Sequence, residues 1–187
     1  MNQQSLGVLL ASGNVTRCHT LPTIKPQTVG AHTWRAMVIL HWLYAPDYPP
    51  AHLTHALLVH DVPELATGDM PGDTKHANAA LAAALERSEN VFLAQHGIRT
   101  DITGDEQRVL GLCDRADLVM YCLDEAEMGN AVMLDVAEKA YSMAQEQRTS
   151  MAVCTHRLYN RSQVLMNAMH DRLQHNLKAR RVSWPNW

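Results

Sequence analysis

The chain is poor in what a sheet or a membrane span needs. It has one Phe, aromatic residues make up 5% of its 187 positions, and few stretches alternate apolar and polar residues with a period of two. Pleated strands want aromatic and β-branched residues in that alternation, so no sheet is expected. No run approaches the roughly 18 apolar residues of a membrane-spanning helix, which argues against a membrane partner. The stretch from Met1 to Ala11 lacks both a charged start and a long apolar segment, so it reads poorly as a secretory leader. The four cysteines, Cys18, Cys113, Cys122 and Cys154, are far apart and none forms a Cys-x-x-Cys pair. Reduced thiols in a cytoplasmic protein are the simpler reading. The formal net charge of −3 includes no basic excess to coat a nucleic-acid polymer. A small anionic substrate, held by a few local cations, suits this balance.

What is present is helical periodicity over one domain spanning 1–187. Helices are expected at about 3–11, 29–44, 50–61, 75–96, 104–127, 131–147 and 150–179. Residues 12–29 contain Gly13, Pro22 and Pro26 and read as an extended loop. Thr28 or Gly30 starts the second helix. Pro50 suits the first turn of the third, and Pro63 should end or kink it. Thr67 to Asp73 is turn-rich. The fifth helix, 104–127, opens with acidic residues, favourable against the helix dipole. Ser183 to Trp187 reads as a loosely held end. The C-terminal helices, with Met143, Met151, Met166 and Met169, suit core packing or the interface of a homo-oligomer.

The chemistry concentrates at His60-Asp61, which closes the apolar run Ala56-Leu57-Leu58-Val59. Neighbouring His and Asp offer one nitrogen and one oxygen ligand from a short segment, half of a divalent metal site. His32, in an apolar helix, is a third candidate; its ordinary alternative is a core His with one hydrogen bond. Asp117 is the fourth. A carboxylate among Leu118, Tyr121 and Cys122 is costly unless paired or metal-bound. An ion pair is its alternative, and Asp114, three residues earlier on nearly the same face, competes for the role. Glu64 follows Asp61 by three residues, where a carboxylate can orient a water or exchange a proton. Asp69 and Lys75 flank the turn-rich loop and suit a sugar hydroxyl and phosphate oxygens. Arg17, in the first loop, matches phosphate bidentately. Lys25 and Arg35 are weaker cations, with surface ion pairing as their ordinary role. His41, His52 and His55 read as structural or surface residues.

His32, then His60-Asp61, then Asp117 resembles the H…HD…D pattern of the HD-domain phosphohydrolases. Arg17, fifteen residues before His32, the His60-Asp61-Val62-Pro63-Glu64 run, Thr67-Gly68-Asp69-Met70-Pro71, Lys75 and Ala116-Asp117 are similar to the bacterial 5′-deoxynucleotidase branch and its phage relatives. The resemblance covers about residues 15–125. It implies an all-α, single-domain HD-domain bundle around one metal site, Zn²⁺, Mn²⁺, Co²⁺ or Fe²⁺, with Mg²⁺ able to accompany a triphosphate. His32, His60, Asp61 and Asp117 would be the ligands and Glu64 the catalytic carboxylate. Arg17 and Lys75 would hold phosphate, Asp69 the 3′-hydroxyl of a deoxynucleotide. The loop from Arg17 to Val29 is similar to that of phage dATP triphosphohydrolases, enzymes that deplete dATP where a phage replaces adenine by 2-aminoadenine, in the host cytoplasm. Relatives often carry Trp where this chain has Cys18, a position that walls off sugar and base. The positive charge of Arg17, Lys25, Lys75 and His76 exceeds what a monophosphate needs and favours a triphosphate over a dNMP. A non-catalytic nucleotide-sensing module is the rival from another class.

Overall fold

The computed structural model describes residues 3–151 and 155–183, all helix, turn and loop apart from one isolated β-bridge. Among the described residues there are nine helical segments. α1 is Gln3–Ser12, α2 Val29–Tyr44, α3 Ala51–Val59, α4 Glu64–Thr67, α5 Gly72–Ala77, α6 Ala79–Gln95, α7 Gly104–Glu127, α8 Met133–Thr149 and α9 His156–Ser183. The all-α expectation holds, and α2 and α7 run as the periodicity predicts.

Local chemistry sets these boundaries. Thr28 caps α2, its hydroxyl accepting from the Ala31 amide, which answers one of the helix's four unpaired N–H groups. Thr103 and Glu106 form a reciprocal capping box at the start of α7. The helix expected at 75–96 is two helices, because Asn78 leaves the helical region and caps α6 through Leu81. The third helix stops at Val59, two residues short of the expected end, and Pro50 is its N-cap rather than a first-turn residue. The chain then turns through His60 to Pro63 into the short α4, which Gly68 closes at φ 71°, a conformation a side chain would disfavour. The last helix begins at His156, and the expectation for the tail beyond residue 183 lies outside the described residues.

α7 is the central element and packs against α2, α3, α8 and α9. Leu40 and Leu43 of α2, Leu53 and Leu57 of α3, and Leu112, Cys113, Ala116, Val119 and Leu123 of α7 are buried together. Met151, Met166 and Met169 are fully or almost fully buried in the same core, so they serve this chain's own packing rather than an outer face. A smaller cluster, Val59, Val62 and Ile98 with Val8, Leu9, Phe92 and Leu93, backs the turn that carries His60 and Asp61.

The loop between α1 and α2 is pinned at both ends. At its neck, Gly30 N–H donates to Gly13 O at 3.1 Å, Val29 N–H to Val15 O at 2.8 Å and Arg17 N–H to Gln27 O at 2.8 Å. A Cβ on Gly30 would stand 3.1 Å from that same Gly13 oxygen, a tight contact that favours glycine at this close approach. At its tip, the buried Glu125 carboxylate of α7 accepts the amides of Ile24 at 2.6 Å and Lys25 at 2.7 Å. Asn130 adds a bond to Pro22 O at 2.7 Å and one to Glu125 at 2.9 Å. The loop is therefore a fixed wall lying against α7.

Candidate metal centre

α2, the turn after α3, and α7 bring their polar side chains to one point. His32 Nε2 lies 3.2 Å from His60 Nε2, 3.5 Å from Asp61 Oδ2 and 3.2 Å from Asp114 Oδ1. His60 Nε2 is 3.3 Å from Asp61 Oδ1. His32, His60 and Asp61 converge with all three ligand atoms within 4.8 Å of one another. Two donors about 2.0–2.1 Å from one tetrahedral ion stand roughly 3.3–3.4 Å apart, so these spacings are those of edges around a single cation.

The far sides of both rings say which nitrogen is free. His60 Nδ1 donates to Leu57 O at 2.6 Å, and His32 Nδ1 faces Asp117 Oδ2 at 2.6 Å. A ring that donates from Nδ1 leaves the Nε2 lone pair for a metal. Two such lone pairs 3.2 Å apart repel unless a cation or proton lies between them. The donor set thus fits a divalent ion.

Asp117 does not take the position expected of it. Its carboxylate is fully buried on the opposite side of the His32 ring, where it also accepts from Gln27 Nε2 at 2.8 Å and from Arg35 Nε. The two nitrogens of an imidazole diverge, so a carboxylate bound to Nδ1 cannot share an ion with Nε2. Asp114, one helical turn earlier, is the α7 carboxylate beside Nε2. The two lie three residues apart on one face, and sequence spacing does not separate them; only the docking of α2 does.

Arg17 and Glu64 flank the cluster. Arg17 is 9% exposed, pairs with Asp61 through NH1, and has NH2 3.6 Å from Asp114 Oδ1. Burial opposes its charge, but Asp61, Asp114 and Glu64 outweigh that and hold the guanidinium protonated. Burial also resists the charge on Asp114, whereas the bond to His32 and the field of Arg17 hold it well below the usual carboxylate range. Glu64 is pushed up to about 8, first by burial and then by Asp61, with Arg17 acting the other way. His32 rises to about 9: burial lowers it, and bonds to Asp114 and Asp117 more than compensate. Arg17 Nε and Glu64 Oε2 are buried with no partner among the described residues. Buried polar atoms are nearly always satisfied, so two orphans beside a donor cluster mark a place for a ligand.

Asp69 is tied to the first loop, its Oδ2 accepting the Cys18 amide at 2.6 Å. Cys18 itself is half-buried in the left-handed region, φ 53°. Lys75, on α5, lies 3.8 Å from Glu89 on α6 and acts on Glu64 through space. Lys25 is exposed and is held through its backbone, and the side chain of His76 lies outside the described ones. His52 bonds Glu106 and His55 faces Arg99 O, away from the cluster. Sequence reasoning missed Gln27 and Glu125, which sit among residues with no chemical signature and matter only through what they hold.

An all-helical bundle with a His-His-Asp cluster at the junction of three segments is the architecture of an HD-domain phosphohydrolase. The family model described as 5′-deoxynucleotidase YfbR-like matches residues 7–156, and the chain belongs to that family. A curated relative, the dATP triphosphohydrolase of cyanophage S-2L, is 26% identical over 117 residues. That match covers 60% of this chain and 66% of the relative, so the chain spans just under two thirds of its length. Among solved structures, the cyanophage S-2L HD phosphohydrolase DatZ, bound to dA and one catalytic Zn²⁺, superposes with a TM-score of 0.69 at 19% identity, over 94% of this chain and 98% of that one. An HD-domain phosphohydrolase from Listeria innocua gives 0.60 at 19% identity, over 90% and 98%.

Proposed function

We propose that the chain is a metal-dependent deoxynucleotide phosphohydrolase that releases triphosphate from dNTPs, dATP foremost. The observation that carries this reading is the convergence of His32, His60 and Asp61, with Asp114 Oδ1 3.2 Å from His32 Nε2 and a buried Arg and a buried Glu beside them. His32, His60, Asp61 and Asp114 would hold a Zn²⁺, Mn²⁺, Co²⁺ or Fe²⁺ ion. Such an ion acidifies a water and polarises a phosphoryl oxygen. The chain's own groups do the rest. Arg17 turns its unpaired Nε and its remaining donors toward the equatorial phosphate oxygens and offsets their charge. Glu64 carries a proton near neutral pH and gives it from Oε2 to the departing 5′-oxygen as the P–O5′ bond breaks. Asp69, fixed by the Cys18 amide, accepts from the deoxyribose 3′-hydroxyl, so sugar and phosphate are read by two loops that are bonded to each other.

Cleaving a dNMP breaks the same bond, and the family description speaks for that second reading. What separates them is charge for the outer phosphates. Lys75, which acts on Glu64 through space, extends the positive side of the site beyond Arg17 and is not fixed in a tight buried pair. The cyanophage relative's activity on dATP points the same way.

The test is a product assay. Purified protein is incubated with each dNTP and each dNMP over Mn²⁺, Co²⁺ and Zn²⁺, and triphosphate and orthophosphate are separated. Deoxyadenosine and triphosphate from dATP are expected. Orthophosphate from dAMP alone assigns the nucleotidase. A metal-loaded protein that binds nucleotide but turns over neither substrate, with Glu64→Gln binding equally well, would be a sensor.

A further inference from the structure

We infer that Asp117, braced by Gln27 and Arg35, is a positioning residue that fixes the His32 ring for metal binding, and that Arg172 on α9 carries this brace to the C-terminal helix. The inference rests on the metal reading above, and goes beyond it to residues that touch neither metal nor substrate.

Each link is a bond to a specific atom. Asp117 Oδ2 takes the Nδ1 proton of His32 at 2.6 Å and a Gln27 Nε2 proton at 2.8 Å, while Oδ1 takes Arg35 Nε–H. With His32 and Asp117 both fully buried, the ring has one partner on its Nδ1 side and cannot flip without breaking it. A fully buried carboxylate also needs a counter-charge, and the Arg35 guanidinium supplies it. Gln27 serves two parts of the site at once. Its side chain holds Asp117, and its carbonyl accepts the Arg17 amide at 2.8 Å, so the phosphate-binding arginine and the ligand histidine share a support.

The brace continues along α7. Asp124 lies seven residues beyond Asp117, two turns on and on the same face. Arg35 spans the two, donating from NH1 to Asp124 Oδ2 at 2.9 Å. The other oxygen of Asp124 accepts from Arg172 NH2 of α9 at 2.6 Å. Arg172 is itself locked by a two-pronged bond to Glu127, both contacts at 2.7 Å. Bidentate pairs fix orientation as well as distance. An isolated surface pair would do little. This chain of alternating charges ends on a buried imidazole, where orientation is what a metal reads.

The experiment measures zinc affinity by competition with a chromophoric chelator, and solvent exchange of the His32 Nδ1 proton in the zinc-loaded protein by NMR. Asp117→Asn should weaken zinc binding about ten- to a hundred-fold and speed that exchange. Arg35→Met should follow in the same direction, with Arg35→Lys recovering part of the loss. Arg172→Met should cost a few-fold, and Arg172→Lys less. A merely structural role would lower the melting temperature and leave zinc affinity and proton exchange of the folded protein unchanged; that result overturns the inference. If Asp117→Asn fails to fold, Gln27→Leu and Arg35→Met decide it, and unaltered zinc affinity in both is equally fatal. A wild-type protein that binds no divalent metal sinks the metal reading itself, which is a different outcome.

Discussion

Cys18 shows how one residue is shaped by the site around it. It takes a φ of 53°, uncommon outside glycine, and its amide spends its hydrogen bond on Asp69. Its thiol is pushed up to about 11, mainly by burial, with Arg17 pulling down and Asp69 and Asp117 pushing up. An ordinary cysteine near 8.5 is about a quarter thiolate at pH 8, whereas this one is about a thousandth. Alkylation of the folded protein by iodoacetamide, followed by mass spectrometry of the Cys18 peptide, should be slow at pH 8 and rise about tenfold per pH unit to pH 10. A rate already near that of free cysteine at pH 8 would show the thiol to be solvated and the loop less closed than described. At this scale the sequence was informative but not sufficient. His32, His60, Asp61, Glu64 and Arg17 could be read off as a group, because residue type and order carry the chemistry. Asp114 and Asp117 could not be told apart, because both satisfy the same helical phase and the distinction lies in which ring nitrogen each meets.

Among the elements, α7 contributes most. One face of it supplies Asp114 to the donors, Asp117 to His32 and Asp124 to the arginine brace, and Glu125 clamps the loop that bears Arg17 and Cys18. Its limits, 104–127, were legible because acidic residues open it, favourably against the helix dipole, and Gly129-Asn130 follows as a stop. The break at Asn78 was not, since an Ala-rich run scores as helix on both sides and only the backbone shows the cap. The Glu125 clamp has a measurable consequence. Its carboxylate is held below the usual range: burial opposes its charge, but the Asn130 side chain and the Ile24 and Lys25 amides prevail. Gln in its place sets an N–H against at least one of those donors, a loss of about 1–3 kcal/mol. For a chain of this length that is about 2–4 °C per kcal/mol in melting temperature. A depressed carboxylate stabilises above its unfolded value near 4.3 and loses that contribution as pH falls through its lower folded value. Thermal melts of wild type and Glu125→Gln should therefore differ most at neutral pH and converge in acid. With the loop loosened, KM for the nucleotide should rise more than kcat falls. Equal melts at pH 7 would show that the clamp contributes nothing.

On the scale of the molecule, the donors tie distant stretches of one cooperative core. His32 comes from α2, His60 and Asp61 from the turn after α3, and Asp114 from α7; α2, α3 and α7 pack into a common interior with α8 and α9, and a smaller cluster backs the turn. Met133 of α8 and Met166 and Met169 of α9 fill that interior, so α8 and α9 belong to the folding unit that holds the site. Without a cation, Asp61, Asp114 and the nearby Glu64 crowd one small volume with Arg17 as their main relief. An ion that binds only the folded arrangement adds stability by mass action, about 2.7 kcal/mol at a free concentration one hundred times its dissociation constant. At about 2–4 °C per kcal/mol, the melting temperature should climb roughly 5–10 °C between chelated and zinc-supplemented protein. Helical and tertiary signals of α2, α3, α7, α8 and α9 should move together, since these helices share one core. Asp114→Asn should remove most of the rise, because the replacement keeps the shape but surrenders the charge next to His32 Nε2. If that variant gains as much from zinc as wild type does, the ion sits elsewhere and the α7 carboxylate beside His32 is not a ligand.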